Sequence, residues 1–235
     1  MRVYVAFTPD ESAAAATGVV IDVIRATSTI CQALAAGYEQ VWCAAEVDDA
    51  RALRHDPDQV TLGGERLGVK IDGFDLGNSP REYLDVRTPT LAMSTTNGTR
   101  AIVTAAERCD RVLIASLLNL AAVTDAAASH GDDVAIFCAG VKGAFALDDS
   151  YVAGRIAEGL GCERSDAAEA AMRLARSYAT AEEAFRASRS GRNLISHGPE
   201  LEADIAYCAQ ESVLDVVPRL AGMHGIAAEI RLADS

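Results

Sequence analysis

Gly18-Val19-Val20-Ile21-Asp22-Val23-Ile24-Arg25-Ala26-Thr27-Ser28-Thr29 is the stretch on which the reading of the fold turns. Residues 18–24 form a nearly unbroken apolar run, and residues 26–36 carry a helical pattern that stops at Gly37. A strand with one wet face alternates apolar and polar residues, whereas a strand covered on both faces reads as a continuous run. Similar runs recur at 3–7, 40–45, 60–62, 90–94, 111–115 and 134–138, with helical stretches at 49–55, 99–108 and 121–129 between them. Alternation of buried strands with helices predicts an α/β fold, a mainly parallel β-sheet flanked by helices on both faces in a three-layer α/β/α arrangement.

Beyond Gly140 the pattern turns helical, at 148–159, 165–188 (opened by Ser165 as N-cap) and 199–210, before a strand-like run at 213–217. Nothing in between has the composition of a linker. The expectation is one domain over 1–235 with a helical elaboration in the C-terminal third, about residues 160–210. Ala168, Ala171, Met172, Ala175 and Ala179 make a narrow apolar stripe, and pattern alone leaves open whether it packs on its own domain or on a second copy in a homo-oligomer. Residues 66–88 show no clear period and read as a long loop, and that length in a compact domain usually means function or disorder.

Charge and composition exclude several classes. The chain has 21 Lys and Arg against 34 Asp and Glu, a net charge of −13, and its only lysines are Lys70 and Lys142. Such a balance argues against coating nucleic acid or an anionic membrane. No run of about 18 apolar residues marks a membrane span. The N-terminal apolar run breaks at Thr8-Pro9-Asp10-Glu11 before a signal-peptide core forms. The six cysteines contain no C-x-x-C pair and no zinc-type spacing with histidine, so they read as reduced thiols of a cytoplasmic protein. There is no G-x-S-x-G elbow, no Walker loop and no cysteine-phosphatase loop.

In parallel α/β folds ligands bind beyond the carboxyl ends of the strands, where helix N-termini present free N–H groups. Four such exits carry chemistry. Asp22 offers oxygen to a hard divalent cation, and Arg25 with the helix start favours phosphate; the competing reading is that Thr27 or Ser28 caps the helix while Asp22 pairs with Arg25. Thr95-Thr96-Asn97-Gly98-Thr99-Arg100 has the small residues and glycine of an anion cradle. Gly63-Gly64-Glu65-Arg66 leads into Gly73-Phe74-Asp75-Leu76-Gly77-Asn78-Ser79-Pro80, where Glu65 could bind metal or move a proton and Arg66 could clamp an anion. Cys138-Ala139-Gly140-Val141-Lys142-Gly143 precedes Leu147-Asp148-Asp149, so that Lys142 could hold phosphate, and the two acids either bind metal or balance the dipole of a helix.

These motifs, in this order, together with Phe145-Ala146-Leu147-Asp148-Asp149 and Asp204-Ile205-Ala206-Tyr207-Cys208-Ala209-Gln210, resemble the 2-phosphosulfolactate phosphatase (ComB-like) family over nearly the whole chain. The resemblance implies a Mg²⁺-dependent phosphomonoester hydrolase that converts 2-phosphosulfolactate to sulfolactate and phosphate, on the route to coenzyme M. On this expectation Asp22, Arg25 and Glu65 are catalytic, and Asp22, Glu65 and Asp149 hold Mg²⁺. Thr27, Arg66, Asn78, Ser79, Thr96, Asn97, Gly98, Thr99, Arg100 and Lys142 contact the small anionic substrate. Ile24 stands where the second acid of a D-x-D phosphatase would be, which favours attack by water over a phospho-aspartate. The alternatives are the same chemistry on another small phosphorylated hydroxy acid, and an anion-binding module without turnover.

Overall fold

The structure is a computed structural model that describes residues 1–95 and 97–232. Its strands are β1 (Arg2–Ala6), β2 (Thr17–Ile21), β3 (Gln40–Ala44), β4 (Val60–Arg66), β5 (Val69–Lys70), β6 (Thr90–Ser94), β7 (Arg111–Ala115), β8 (Val134–Cys138), β9 (Glu163–Arg164), β10 (Pro218–His224) and β11 (Ala227–Leu232). Its helices are α1 (Ala26–Ala36), α2 (Val47–Ala52), α3 (Gly98–Ala106), α4 (Leu120–Ala128), α5 (Leu147–Gly159), α6 (Asp166–Arg176), α7 (Ala181–Ala187), α8 (Arg189–Ser196) and α9 (Pro199–Cys208).

The strands form one mixed sheet in the order β5-β4-β6-β3-β11-β10-β7-β2-β8-β1-β9. Two parallel groups stand in it, β4-β6-β3 and β7-β2-β8-β1-β9. The hairpin β10–β11 joins them, pairing antiparallel with β7 on one side and β3 on the other. Without it, β3 and β7 would each present a row of unpaired backbone groups.

Burial on both faces follows the two-residue strand period. Val19 and Ile21 of β2, with Ile136 and Cys138 of β8, join a core shared with α4 to α9. Val20, Ala135 and Phe137 point the other way, into a core shared with α1, α3 and Tyr83. A third cluster packs Ala50 of α2 on Ala44, Leu62 and Ala92. The α/β fold with both faces covered is therefore the one read from the apolar runs.

Three local expectations need correction. The 165–188 stretch is two helices, because Thr180 as well as Ser165 accepts an N-cap bond and starts a new one. Residues 66–88 contain β5 and a 3₁₀ turn at Pro80–Tyr83. Residues 213–217 are not a strand: Ser212 and Leu214 donate their N–H groups to the Leu117 and Leu118 carbonyls, which leads the chain into β10. Among the described residues no helix is long and apolar enough to cross a membrane.

A chain ending at Val217 should leave the β3 and β7 edges open. We expect it to aggregate and to lose cooperative thermal unfolding. A truncated chain that stays monomeric and melts in one transition would show that the hairpin is dispensable.

Candidate active site

The strand exits converge although the strands are not neighbours. Four strands separate β6 from β2 in the sheet order, but a methyl group on Gly98, at the start of α3, would lie 3.0 Å from Asp22 Oδ2 and 3.0 Å from the Ala26 Cβ. Glycine at 98 lets the start of α3 sit directly against the start of α1, with the Asp22 carboxylate between them. A cavity of about 400 Å³ opens there. Asp22, Arg25, Glu65, Asn78, Asn97 and Lys142 line it, and α8 supplies Arg189, Ser190, Arg192 and Asn193.

Asp22 is held from behind. Its N–H donates to Thr27 Oγ1 at 3.1 Å and its carbonyl accepts from the Thr27 N–H at 2.9 Å. Thr27 is thus a fully buried lock on the Asp22 backbone and faces no ligand. Burial first, then repulsion from Glu65 and Asp148, push the Asp22 carboxyl up to about 8. Burial also raises Asp148 to about 6, opposed by the Ser190 hydroxyl.

Asp149 does not reach the cavity wall. Its Oδ1 accepts from the Val23 N–H at 2.9 Å and its Oδ2 from the Gly140 N–H at 3.0 Å, which fastens the exits of β2 and β8 together at the start of α5. Burial and the charges of Asp148 and Asp22 raise its carboxyl well above the usual range. Both of its oxygens are engaged by backbone, so the structure makes Asp149 a pin and not an open ligand.

Arg25 is neither capped off nor paired with Asp22. Its Nη1 donates to Asp204 Oδ2 at 2.7 Å and its Nη2 to the Gly68 carbonyl at 2.7 Å. Asp204 also accepts from Ser79 Oγ at 2.6 Å and Arg81 Nε at 2.9 Å. Ser79 is therefore consumed in this network. Glu65 Oε2 accepts from the Gly68 N–H at 2.6 Å, which holds the β4–β5 turn over the cavity.

Two arginines expected at the anion are placed elsewhere. Glu65 faces the cavity, and Arg66, next along the strand, puts its guanidinium on the carbonyls of Glu65 and Ala45 and on Ser94 Oγ. Arg100 pairs with Asp10 at the surface. Thr99 Oγ1 donates to the Ala44 carbonyl. Asn97 stays at the cavity, its Oδ1 accepting the Lys142 N–H at 3.2 Å. Thr96 lies outside the described residues.

Thiol chemistry has no support at the site, since burial raises Cys31, Cys43 and Cys208 to about 12. Among the described residues no group of three or more His, Cys, Asp or Glu side chains meets as a metal cage. The donors at the cavity are oxygens: the Asp22 and Glu65 carboxylates, and the buried Asn78 Oδ1, which has no hydrogen-bond partner. Such a set fits Mg²⁺, which uses one or two carboxylates and keeps several waters.

The chain matches the family described as 2-phosphosulpholactate phosphatase over residues 5–222. It is 39% identical over 225 residues to a probable 2-phosphosulfolactate phosphatase of Carboxydothermus hydrogenoformans, covering 93% of this chain and 92% of that protein. It is 41% identical to one from Thermus thermophilus, covering 88% and 89%, and 42% identical to one from Symbiobacterium thermophilum, covering 89% and 93%. The chain belongs to this family.

Two contributors to the cavity and its support escape a reading of the strand exits. Asp204 had a signal, a carboxylate next to Ile205 and four residues before Cys208, on the buried side of its helix. The α8 side chains had none, because Arg189-Ser190-Gly191-Arg192-Asn193 has the composition of a surface turn.

The crowding of carboxylates gives a pH signature in metal-free protein. A carboxyl raised from 3.8 to about 8 keeps in the folded state a proton that the unfolded chain releases, so stability falls as pH rises from about 4 to about 8. In EDTA, Asp22→Asn should raise Tm relative to the parent chain, with a gain that grows across that window and levels off above it. Each kcal/mol corresponds to about 2–4 °C in a chain of this size, within reach of calorimetry. Parallel Tm curves for the two proteins would show that Asp22 is not strained by its neighbours.

Proposed function

We propose that this chain is a phosphoric monoester hydrolase that releases phosphate from 2-phosphosulfolactate in a Mg²⁺-dependent reaction. The observation that carries the reading is the cavity at the strand exits, acidic at Asp22 and Glu65 and cationic at Lys142 and on α8. Family membership supports the phosphatase chemistry and the substrate. The six free thiols support a reducing, cytoplasmic setting.

Asp22 and Glu65 would hold Mg²⁺, with Asn78 Oδ1 turned toward the same space. When bound, the cation supplies charge neutralisation at the phosphoryl oxygens and a water of lowered pKa. The protein's own groups do the positioning. Arg25, locked by Asp204 and bonded to the Gly68 carbonyl, keeps the turn held by Glu65 fixed at the cavity, so that this wall needs no reorganisation during the reaction. Asn97 fixes the turn that carries Lys142, which brings an ammonium to the anion as a point charge. Water adds to phosphorus, the bond from phosphorus to the substrate's C2 oxygen breaks, and that oxygen ends protonated as the hydroxyl of sulfolactate. Attack by water suits a site in which Ile24 replaces the second acid of a D-x-D motif.

Phosphate release from 2-phosphosulfolactate should require Mg²⁺, stop with EDTA, and fall on the order of a hundredfold or more in Asp22→Asn. Equal turnover of another small phosphorylated hydroxy acid, such as 2-phospholactate, would move the substrate assignment to that acid. Saturable binding without any release would make the chain an anion-binding module.

A further inference from the structure

We infer that Arg189, on the helical elaboration, is a specificity-determining residue that binds the acid groups of the substrate not attacked at phosphorus. The inference rests on the phosphatase reading for its substrate and goes beyond it in assigning the end of the molecule away from the phosphate.

The cations at the cavity differ in how far they are already engaged. Arg25 is neutralised by Asp204 in a pair closed to water. Arg192 donates to the Ala187 carbonyl. Arg189 and the Lys142 ammonium form no ion pair or side-chain hydrogen bond among the described residues, although both line the cavity. In a chain of net charge −13, most arginines sit against carboxylates, among them Arg100, Arg155, Arg176 and Arg186. A guanidinium left without a carboxylate at a cavity wall is a site for an anion from outside the chain.

Arg189 is also held at a defined place. Ser188 is buried, its Oγ accepting the Gly191 N–H at 2.9 Å and donating to the Phe185 carbonyl at 2.8 Å. A methyl group at Gly191 would fall 1.9 Å from the Phe185 carbonyl oxygen, so the corner between α7 and α8 is closed to any larger residue. Arg189 follows this corner directly, and Ser190, next along, lines the cavity with it. The cation thereby shares one cavity with Asp22 and Glu65. From the other side, a Cβ at Gly68 would lie 2.8 Å from Asn193 Nδ2, so α8 meets the turn held by Glu65 and Arg25.

The cavity is therefore divided. Carboxylates at the strand exits face the metal and phosphate, while α8 faces the remaining charge of a substrate that carries a sulfonate and a carboxylate on the adjacent carbons. A fork of parallel N–H donors suits either group, and a planar carboxylate best.

Sulfoacetate, which has a sulfonate and a carboxylate but no phosphate, tests this directly by calorimetry alongside inorganic phosphate. Arg189→Gln should weaken sulfoacetate binding on the order of ten- to a hundredfold, as expected for loss of charged hydrogen bonds, and weaken phosphate binding less. Arg189→Lys should restore part of the loss, and a remote control, Arg176→Gln, should leave both affinities unchanged, with thermal melts checking the fold. In turnover of 2-phosphosulfolactate the Gln variant should raise KM much more than it lowers kcat. The inference is overturned if the parent chain does not bind sulfoacetate, if the variant loses phosphate at least as much as sulfoacetate, or if kcat falls with KM intact. Absence of turnover in the parent chain while sulfoacetate still binds through Arg189 would sink the phosphatase reading and keep the anion site.

Discussion

The Asp204 carboxylate has no access to water and must be compensated inside the protein. Removing a partner from a buried ion pair costs about 3–5 kcal/mol, because the remaining charge has nowhere to go. Three donors answer this demand: Arg25 from the start of α1, Ser79 from the loop after β5, and Arg81 from the 3₁₀ turn. One charge on the helical elaboration thus collects the strand exit and the long loop into one body. Arg25 reaches onward to the Gly68 carbonyl, and Gly68 to Glu65. The wall of the cavity is a continuation of the same network.

The second constraint is repulsive. Asp22, Asp148 and Asp149 are all buried; the charge of Asp148 raises the proton affinity of Asp22, and both raise that of Asp149. Hydrogen bonds relieve only some of this. Asp149 takes two backbone N–H groups and becomes the joint between β2 and β8, whereas Asp148 Oδ1 has no partner. Carboxylates gathered in this way beside an open cavity cost stability there. Lys142 and Arg189 line the same cavity and form no ion pair among the described residues.

Most of the sheet was legible because strands covered on both sides must be apolar throughout, and runs such as 134–138 admit no other reading in a chain of this kind. The last two strands were not legible. β10 and β11 lie between two parallel groups yet carry Arg219, His224, Glu229 and Arg231, since one face of the hairpin stays partly open. Of the residues that line the cavity, Asp22, Glu65, Asn78, Asn97 and Lys142 were reached by looking beyond strand ends, where the fold class alone puts ligands. Arg66 was misplaced because adjacent strand residues point to opposite faces, and Glu65 had taken the inner one. Arg100 was misplaced because its helix carries it to the surface, where Asp10 meets it.

What the chain determines locally is the alternation of buried strands and helices, the residues at each exit, and the small turns that let helices begin there. These depend on neighbours within a few residues, through side-chain period, capping and backbone freedom. Tertiary structure alone decides which exits meet, because a hairpin from the far C-terminus sets how the two parallel groups stand relative to each other. It alone decides which cations are free, because a guanidinium's acceptor can lie far along the chain: Asp204 is 179 positions from Arg25, and Gln40 is 191 from Arg231. The polar segment 189–193 shows the difference: unremarkable in composition, it becomes a cavity wall through one buried serine and a glycine with no room for a side chain.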